Sequence, residues 1–214
     1  MRSLFISIEG IDGSGGSTQA ELLTEWLRNK QVNPVLLTQE PSSGPVGKFI
    51  RQVLTDQGEE GRLGDTVLPY LFAADRRDHL DREIIPMLQQ GGLVISDRYL
   101  HSSLAYQSLA IGLPAVANLN AEFRQPDLIL YLDLDPETCL QRIIARGDRL
   151  ERFEAIDRLR RIRDAYSTVI VLGHTQGQNI VSIDASQSID GVHADVRAAV
   201  DELEQSQNQS PPTA

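Results

Sequence analysis

The chain has 214 residues, 41% of them apolar, which is enough to bury the core of one globular domain and too much for a disordered chain. Its 20 basic residues face 30 acidic ones, a formal charge of -10 that excludes general affinity for a nucleic-acid backbone or an anionic membrane surface. Any anionic ligand must therefore meet a local basic site, and with Lys30 and Lys48 the only lysines, that site must be built from the 18 arginines.

In chain order, short apolar runs alternate with longer stretches of helical periodicity. The segment before Glu9 is too short for a secretory signal, and no run approaches the length that spans a bilayer, so the expected location is cytoplasmic. Strands are predicted over Leu4 to Glu9, Pro34 to Thr38, Leu93 to Asp97, Leu128 to Asp133 and Ile180 to Asp184. Helices are predicted over Thr18 to Lys30, where Leu22, Leu23, Trp26 and Leu27 share one face, and over Gly44 to Thr55, Thr66 to Asp78 and Asp81 to Gln90. Pro136 to Arg146, Glu154 to Leu172 and Ser188 to Gln205 follow. This alternation predicts a three-layer α/β fold, a five-stranded parallel sheet flanked by helices. Cys139, the lone cysteine, falls in a helix and reads as a small buried apolar residue. The polar, proline-containing residues 207–214 read as a disordered tail, which leaves a single domain over 1–206.

Between the first strand and the first helix lies Gly10-Ile11-Asp12-Gly13-Ser14-Gly15-Gly16-Ser17. A loop that cradles phosphate needs glycines, because the backbone must turn tightly and aim successive N–H groups at phosphate oxygens, with the helix dipole behind them. Gly10, Gly15 and Ser17 satisfy G-x-x-x-x-G-K-[ST] in the right strand-loop-helix context, but the lysine position is Gly16. Losing one preorganised cationic donor costs a few kcal/mol of transition-state stabilisation, roughly a hundred- to a thousandfold in rate. Elsewhere, Asp97 ends an apolar strand, where open α/β sheets place their ligand crevice. The Arg-rich stretch Arg142 to Arg163 is broken at Arg146-Gly147-Asp148-Arg149, a hinge pattern that could carry guanidinium groups over an anionic ligand.

The segment E-G-I-D-G-S-G-G-S-T-Q, Glu9 to Gln19, resembles the P-loop of thymidylate kinases, nucleoside monophosphate kinases that make dTDP from dTMP and ATP. In the family's order, Thr38-Gln39-Glu40-Pro41 resembles T-R-E-P, and Leu71-Phe72-Ala73-Ala74-Asp75-Arg76 resembles F-A-A-x-R. Asp97-Arg98-Tyr99 with Ser102, Ser103, Tyr106 and Gln107 resembles D-R-Y and S-x-x-A-Y-Q; Pro126-Asp127-Leu128 and Arg142 to Glu151 resemble the P-D-L strand and the lid.

The resemblance implies a P-loop kinase fold with a mobile lid near 146–154, ATP as co-substrate, Mg²⁺, dTMP as acceptor, and a homodimer formed through helix faces in Gly44 to Thr55 and Thr66 to Asp78. It implies that Gly10, Ile11, Asp12, Gly13, Ser14, Gly15, Gly16, Ser17 and Thr18 hold ATP phosphates, with Arg142 near the adenine or the phosphates. Thymine is implied to stack on Phe72 and to meet Arg76 and Ser103, with Tyr106 under the deoxyribose, and Gln107 is implied to bind dTMP. Arg98 is implied to hold the dTMP phosphate, Asp12 the sugar 3′-hydroxyl, and Ser17 and Asp97 the metal. Glu40 is assigned either to the metal or to orienting Arg98. With no arginine in the loop, catalysis falls to the lid, Arg149 first, then Arg152 and Arg146. Gly16 and Gln39 are neutral where the pattern is basic, so two alternatives stand beside the dTMP kinase: a catalytically impaired nucleotide-binding protein, and a kinase of another nucleoside monophosphate.

Overall fold

A computed structural model describes residues 3–32, 34–55, 63–147 and 152–209, with the backbone alone at 152–154 and 207–209. The strands β1 (Leu4–Glu9), β2 (Val35–Gln39), β3 (Leu93–Asp97), β4 (Leu128–Asp133) and β5 (Ile180–Asp184) form one sheet in the order β2-β3-β1-β4-β5. All neighbours pair in parallel, so every strand delivers its C-terminal end to the same edge. The register sets Ile8 of β1 opposite Asp97 of β3, and Asp97 in turn opposite Gln39 of β2. Three segments far apart in sequence thus end side by side.

β1 is buried at all six positions, as a central parallel strand covered on both faces must be. Its alternation splits the core. Leu4, Ile6 and Ile8 join Leu23 and Leu27 of the following helix α1 (Gly16–Asn29), whereas Phe5 packs with Val94, Leu80, Ile84 and Tyr99. Ser7 and Glu9 share the Phe5 face, so this side turns from apolar to polar toward the functional edge.

The remaining helices are α2 (Pro45–Thr55), α3 (Leu68–His79), α4 (Ile85–Gln89), α5 (Leu100–Tyr106), α6 (Ser108–Ile111), α7 (Leu113–Leu119), α8 (Pro136–Ala145), α9 (Arg152–Thr175) and α10 (Ile189–Gln209). The continuous helix predicted over Asp81 to Gln90 is instead a π-helical turn, Leu80–Ile84, followed by the short α4. Pro86 is the cause. It has no N–H to return to the carbonyl of Arg82, and the ladder re-forms one residue wider, with the Ile85 N–H reaching Leu80 O. The tail predicted from 207 lies outside the described residues except for the backbone of 207–209, which continues α10. Among the described residues no helix is long and apolar enough to cross a membrane.

Candidate active site

The loop after β1 turns tightly enough to need glycine at defined points. At Gly13, φ is 87° and a Cβ would stand 2.6 Å from the Cys139 carbonyl oxygen, so no side chain lets the loop pass α8 this closely. Gly15, with φ 104°, starts α1 without a side-chain cap, and the first turn of α1 holds no acidic residue. The N–H groups of that turn remain available to an anion.

Gly16 lies against the carboxylate of Asp97. A Cβ there would sit 2.9 Å from Asp97 Oδ1, while the Ser17 hydroxyl donates to Asp97 Oδ2 at 2.5 Å. The register explains the meeting, since Ile8, the last apolar residue before the loop, pairs with Asp97. One hydroxyl and one half-buried carboxylate beside a phosphate cradle suit Mg²⁺, which binds through one or two carboxylates and keeps waters and phosphate oxygens as its other ligands. No group of three or more His, Cys, Asp or Glu side chains able to cage a metal occurs among the described residues.

Arg98 follows Asp97 with φ 67°, a left-handed backbone that costs a non-glycine residue on the order of 1–2 kcal/mol. Its N–H bonds to Ile8 O at 2.9 Å, and its carbonyl accepts from the Ser96 hydroxyl at 2.6 Å, which holds the strained conformation. The guanidinium is thereby aimed back across the loop. Nη2 donates to Asp12 Oδ1 at 2.8 Å and Nη1 to Gly10 O at 2.9 Å, and the group lies 5.0 Å from the Tyr106 ring centroid. The Tyr106 hydroxyl accepts from the Asp12 N–H at 3.1 Å, and burial raises its pKa well above the usual phenol range. Loop, strand end and α5 are joined at one point.

Arg76 is fully buried, so its whole environment is protein. Nη2 donates to Glu40 Oε2, to Ser103 Oγ at 2.8 Å and to Tyr99 O at 3.2 Å; Nη1 donates to Asn120 Oδ1. Its Nε–H has no acceptor among the described residues, and neither has the buried Gln107 Oε1 a donor. Phe72, one turn before Arg76 on α3, is half-buried. Glu40 turns neither to a metal site nor to Arg98: its oxygens face Arg76 and, at 3.3 Å, His79 Nδ1, while Arg98 takes Asp12 as its partner.

Behind Arg98 lies a second polar group, centred on Ser102. Ser102 Oγ donates to Glu9 Oε2 at 2.6 Å, stands 2.7 Å from the Tyr166 hydroxyl of α9 and accepts from Arg98 Nη1 at 3.3 Å. Burial raises the Glu9 pKa, opposed by His101, the Ser102 hydrogen bond and Arg98. The signal for Glu9 was a carboxylate inside an apolar strand; Tyr166 and Asn120 gave none.

Arg142 on α8 reaches Ala185 O at 3.2 Å and lies 3.5 Å from Ser14 O. Arg146 is exposed at the end of α8, Arg149 lies outside the described residues, and Arg152 opens α9 with its side chain outside them. Gln39, Ser17, Ser43, Arg51, Glu83 and Asp97 line a cleft of about 330 Å³ on the other side of the loop. Arg51 is tied to the carbonyls of Pro41 and Ser42 at 2.6 and 2.5 Å, so no free cation replaces the missing arginine of T-R-E-P among the lining residues.

Residues 8–196 match the thymidylate kinase family model. A probable thymidylate kinase of Pyrococcus horikoshii is 37% identical over 203 residues, 94% of this chain and 97% of that protein. A thymidylate kinase of Symbiobacterium thermophilum is 37% identical over 207 residues, 94% of each, and a probable thymidylate kinase of Pyrobaculum aerophilum 40% identical over 193 residues, 90% of this chain and 93% of that one. With likeness running along nearly the whole length of both partners, the chain belongs to the thymidylate kinase family.

Proposed function

We propose that the chain transfers the γ-phosphoryl group of ATP to dTMP, forming dTDP and ADP with Mg²⁺ in the cytoplasm. The observation that carries the reading is the position of Arg98, whose guanidinium bridges the strand end and the lip of the phosphate loop through Asp12 and Gly10. A phosphate held by Arg98 is delivered to phosphates held by the loop. Phosphoryl transfer asks for this positioning and for charge stabilisation, with little covalent chemistry from the protein.

The loop from Gly10 to Thr18 cradles the donor phosphates, and Arg142, on the α8 side of the loop, serves the nucleotide end of ATP. Ser17 and Asp97 would hold the metal, which supplies charge neutralisation between the phosphates. Asp12 fixes Arg98 and takes the sugar 3′-hydroxyl; Tyr106 closes the sugar side. Phe72, Arg76, Ser103 and Gln107 form the base pocket, and the unpartnered Arg76 Nε–H and Gln107 Oε1 match a base that offers both acceptor and donor. An acceptor phosphate oxygen attacks the γ-phosphorus, the bond to the β-phosphate oxygen breaks, and ADP departs. Arg149 and Arg152 of a lid over 146–154 stabilise the transferring group, as the loop itself contains no cation.

The homodimer forms through α2 and the start of α3, which pack on each other and leave Phe49, Leu54, Val67 and Tyr70 exposed. Sedimentation tests this, since a monomer at micromolar concentration excludes it. For the activity, a coupled assay supplies ATP with dTMP, dUMP, AMP or GMP. ATP-dependent turnover highest with dTMP is expected; dTMP binding without turnover, or preference for AMP, overturns the reading.

A further inference from the structure

The carboxylate of Glu40 serves two partners on one face of α3. Its Oε2 accepts from Arg76 and its Oε1 faces His79 Nδ1 at 3.3 Å, Arg76 and His79 being three residues apart and both fully covered. On the far side of the ring, His79 Nε2 stands 2.7 Å from Thr38 Oγ1, and Thr38 Oγ1 is 3.3 Å from Glu83 Oε2. Glu83 also accepts from Ser43 at 3.1 Å, and Thr38, Ser43 and Glu83 all line the 330 Å³ cleft. The chain Arg76, Glu40, His79, Thr38, Glu83 joins the base pocket to that cleft through side chains alone. It crosses the sheet end just where the backbone is unusual, since the π-helical turn starts at Leu80 and carries Glu83.

A carboxylate between two donors is fixed in rotation only while both are present. The single Thr38 hydroxyl proton goes to the nearer acceptor, His79 Nε2, rather than to Glu83 Oε2; with Nδ1–H donating to Glu40, one tautomer of His79 then serves both contacts. An arginine presents donors only, so a guanidinium locked in place favours a ring carbonyl and opposes an exocyclic amino group at the same spot. We propose that His79 is a positioning residue for base selection: it locks the Glu40 carboxylate, and through it the Arg76 guanidinium that reads the pyrimidine. The inference deepens the dTMP reading and rests on it.

The test compares wild type with His79→Ala, His79→Asn and Glu40→Gln, using dTMP and dCMP as acceptors at saturating ATP. Asparagine keeps an N–H near the position of Nδ1 and loses the Thr38 contact. For His79→Ala, KM for dTMP should rise about tenfold with kcat within about twofold and KM for ATP unchanged, and the dTMP:dCMP ratio of kcat/KM should fall about tenfold, equivalent to ~1.4 kcal/mol. Glu40→Gln should share this signature, and His79→Asn should recover most of the ratio. An unchanged ratio in the alanine variant overturns the proposal, as does a loss of kcat in step with both KM values, or an asparagine variant no better than alanine. If His79→Ala fails to melt cooperatively, Glu40→Gln and His79→Asn carry the same comparison. A wild-type chain inert toward dTMP overturns the activity instead. Calorimetric affinities for dTMP and dCMP then supply the ratio, and equal ratios in wild type and variant overturn the role of His79.

Discussion

At Gly16 the loop lacks the ammonium that would lean over the donor phosphates, and the nearest side-chain atom to the position of its absent Cβ is a carboxylate oxygen. Two opposed effects follow from Gly16→Lys. The new charge restores a donor worth roughly a hundred- to a thousandfold in rate where it acts on the transition state. The new Cβ, 2.9 Å from Asp97 Oδ1, must push that carboxylate aside and strain its bond with Ser17. Gly16→Ala supplies the Cβ without the charge and so isolates the second effect. We expect alanine to lower kcat severalfold and lysine to raise it about tenfold or more above wild type, read in the coupled assay. Lysine equal to or below wild type would show that arginines already satisfy the phosphate. The loop was legible from spacing because its chemistry is local, whereas Asp97 as the neighbour of Gly16 depends on strand register across 80 residues of chain. Glu40 was misassigned for the same reason, since its partners lie 36 and 39 residues away on a helix whose facing side no pattern declares. Cys139 illustrates the opposite case. Its helical apolar setting predicted burial, its side chain is wholly covered, and burial pushes the thiol up to about 12. A thiol reagent at pH 8 should leave the native chain unlabelled and modify it once denatured; rapid native labelling would contradict this.

Elements whose signals reinforce one another were placed to within a few residues, and those whose signals conflict were not. α8 combines Asp135, Pro136 and Glu137 at its start with an apolar face, and its range departs from expectation by one residue. The stretch from Leu100 to Leu119 has no single period because it breaks at Gln107, between α5 and α6, and at Gly112, with φ 83° and Pro114 close after it, between α6 and α7, which leaves pieces too short to show one. Pro86 likewise hid the π-helical turn inside an apolar pattern that reads as ordinary helix. Asp135 Oδ1 accepts from the Thr138 N–H at 2.8 Å, and these Thr138 hydrogen bonds lower the Asp135 pKa. Asp135→Ala should cost about 1 kcal/mol, a fall of about 2–4 °C in the thermal midpoint for a chain of this length. Because α8 also presents Cys139 O to Gly13 of the phosphate loop, KM for ATP should rise as well. Asp135→Asn keeps an acceptor and should restore most of both; a midpoint unchanged in the alanine variant would exclude a stabilising cap.

For the whole molecule, the parallel sheet was readable because buried central strands are continuous apolar runs, and in β1 only Ser7 and the carboxylate of Glu9 interrupt that rule. Glu9 is 1% exposed beneath Arg98, between α5 and α9, the helix that follows the proposed lid. Burial is the largest influence on it and raises its pKa above the usual carboxylate value near 4.5. The folded state binds the proton more tightly than the unfolded state, so stability is highest below the unfolded value and declines as pH rises through the folded one. Glu9→Gln removes the ionisation while keeping a hydrogen-bonding side chain of the same size. The difference in thermal midpoint, glutamine minus wild type, should therefore grow as pH is raised from 4 to 8, by about 2–4 °C for each kcal/mol of linkage, whatever constant offset the altered hydrogen bonds introduce. A difference that shrinks with rising pH would mean that Arg98 and His101 outweigh burial and hold Glu9 ionised. In that case its charge would be a fixed counterion to Arg98, and Glu9→Gln would leave Arg98 more strongly cationic toward the acceptor phosphate. Wild-type stability that falls toward pH 8, with KM for dTMP little changed in the glutamine variant, places Glu9 in the scaffold that ties the two helices to the sheet.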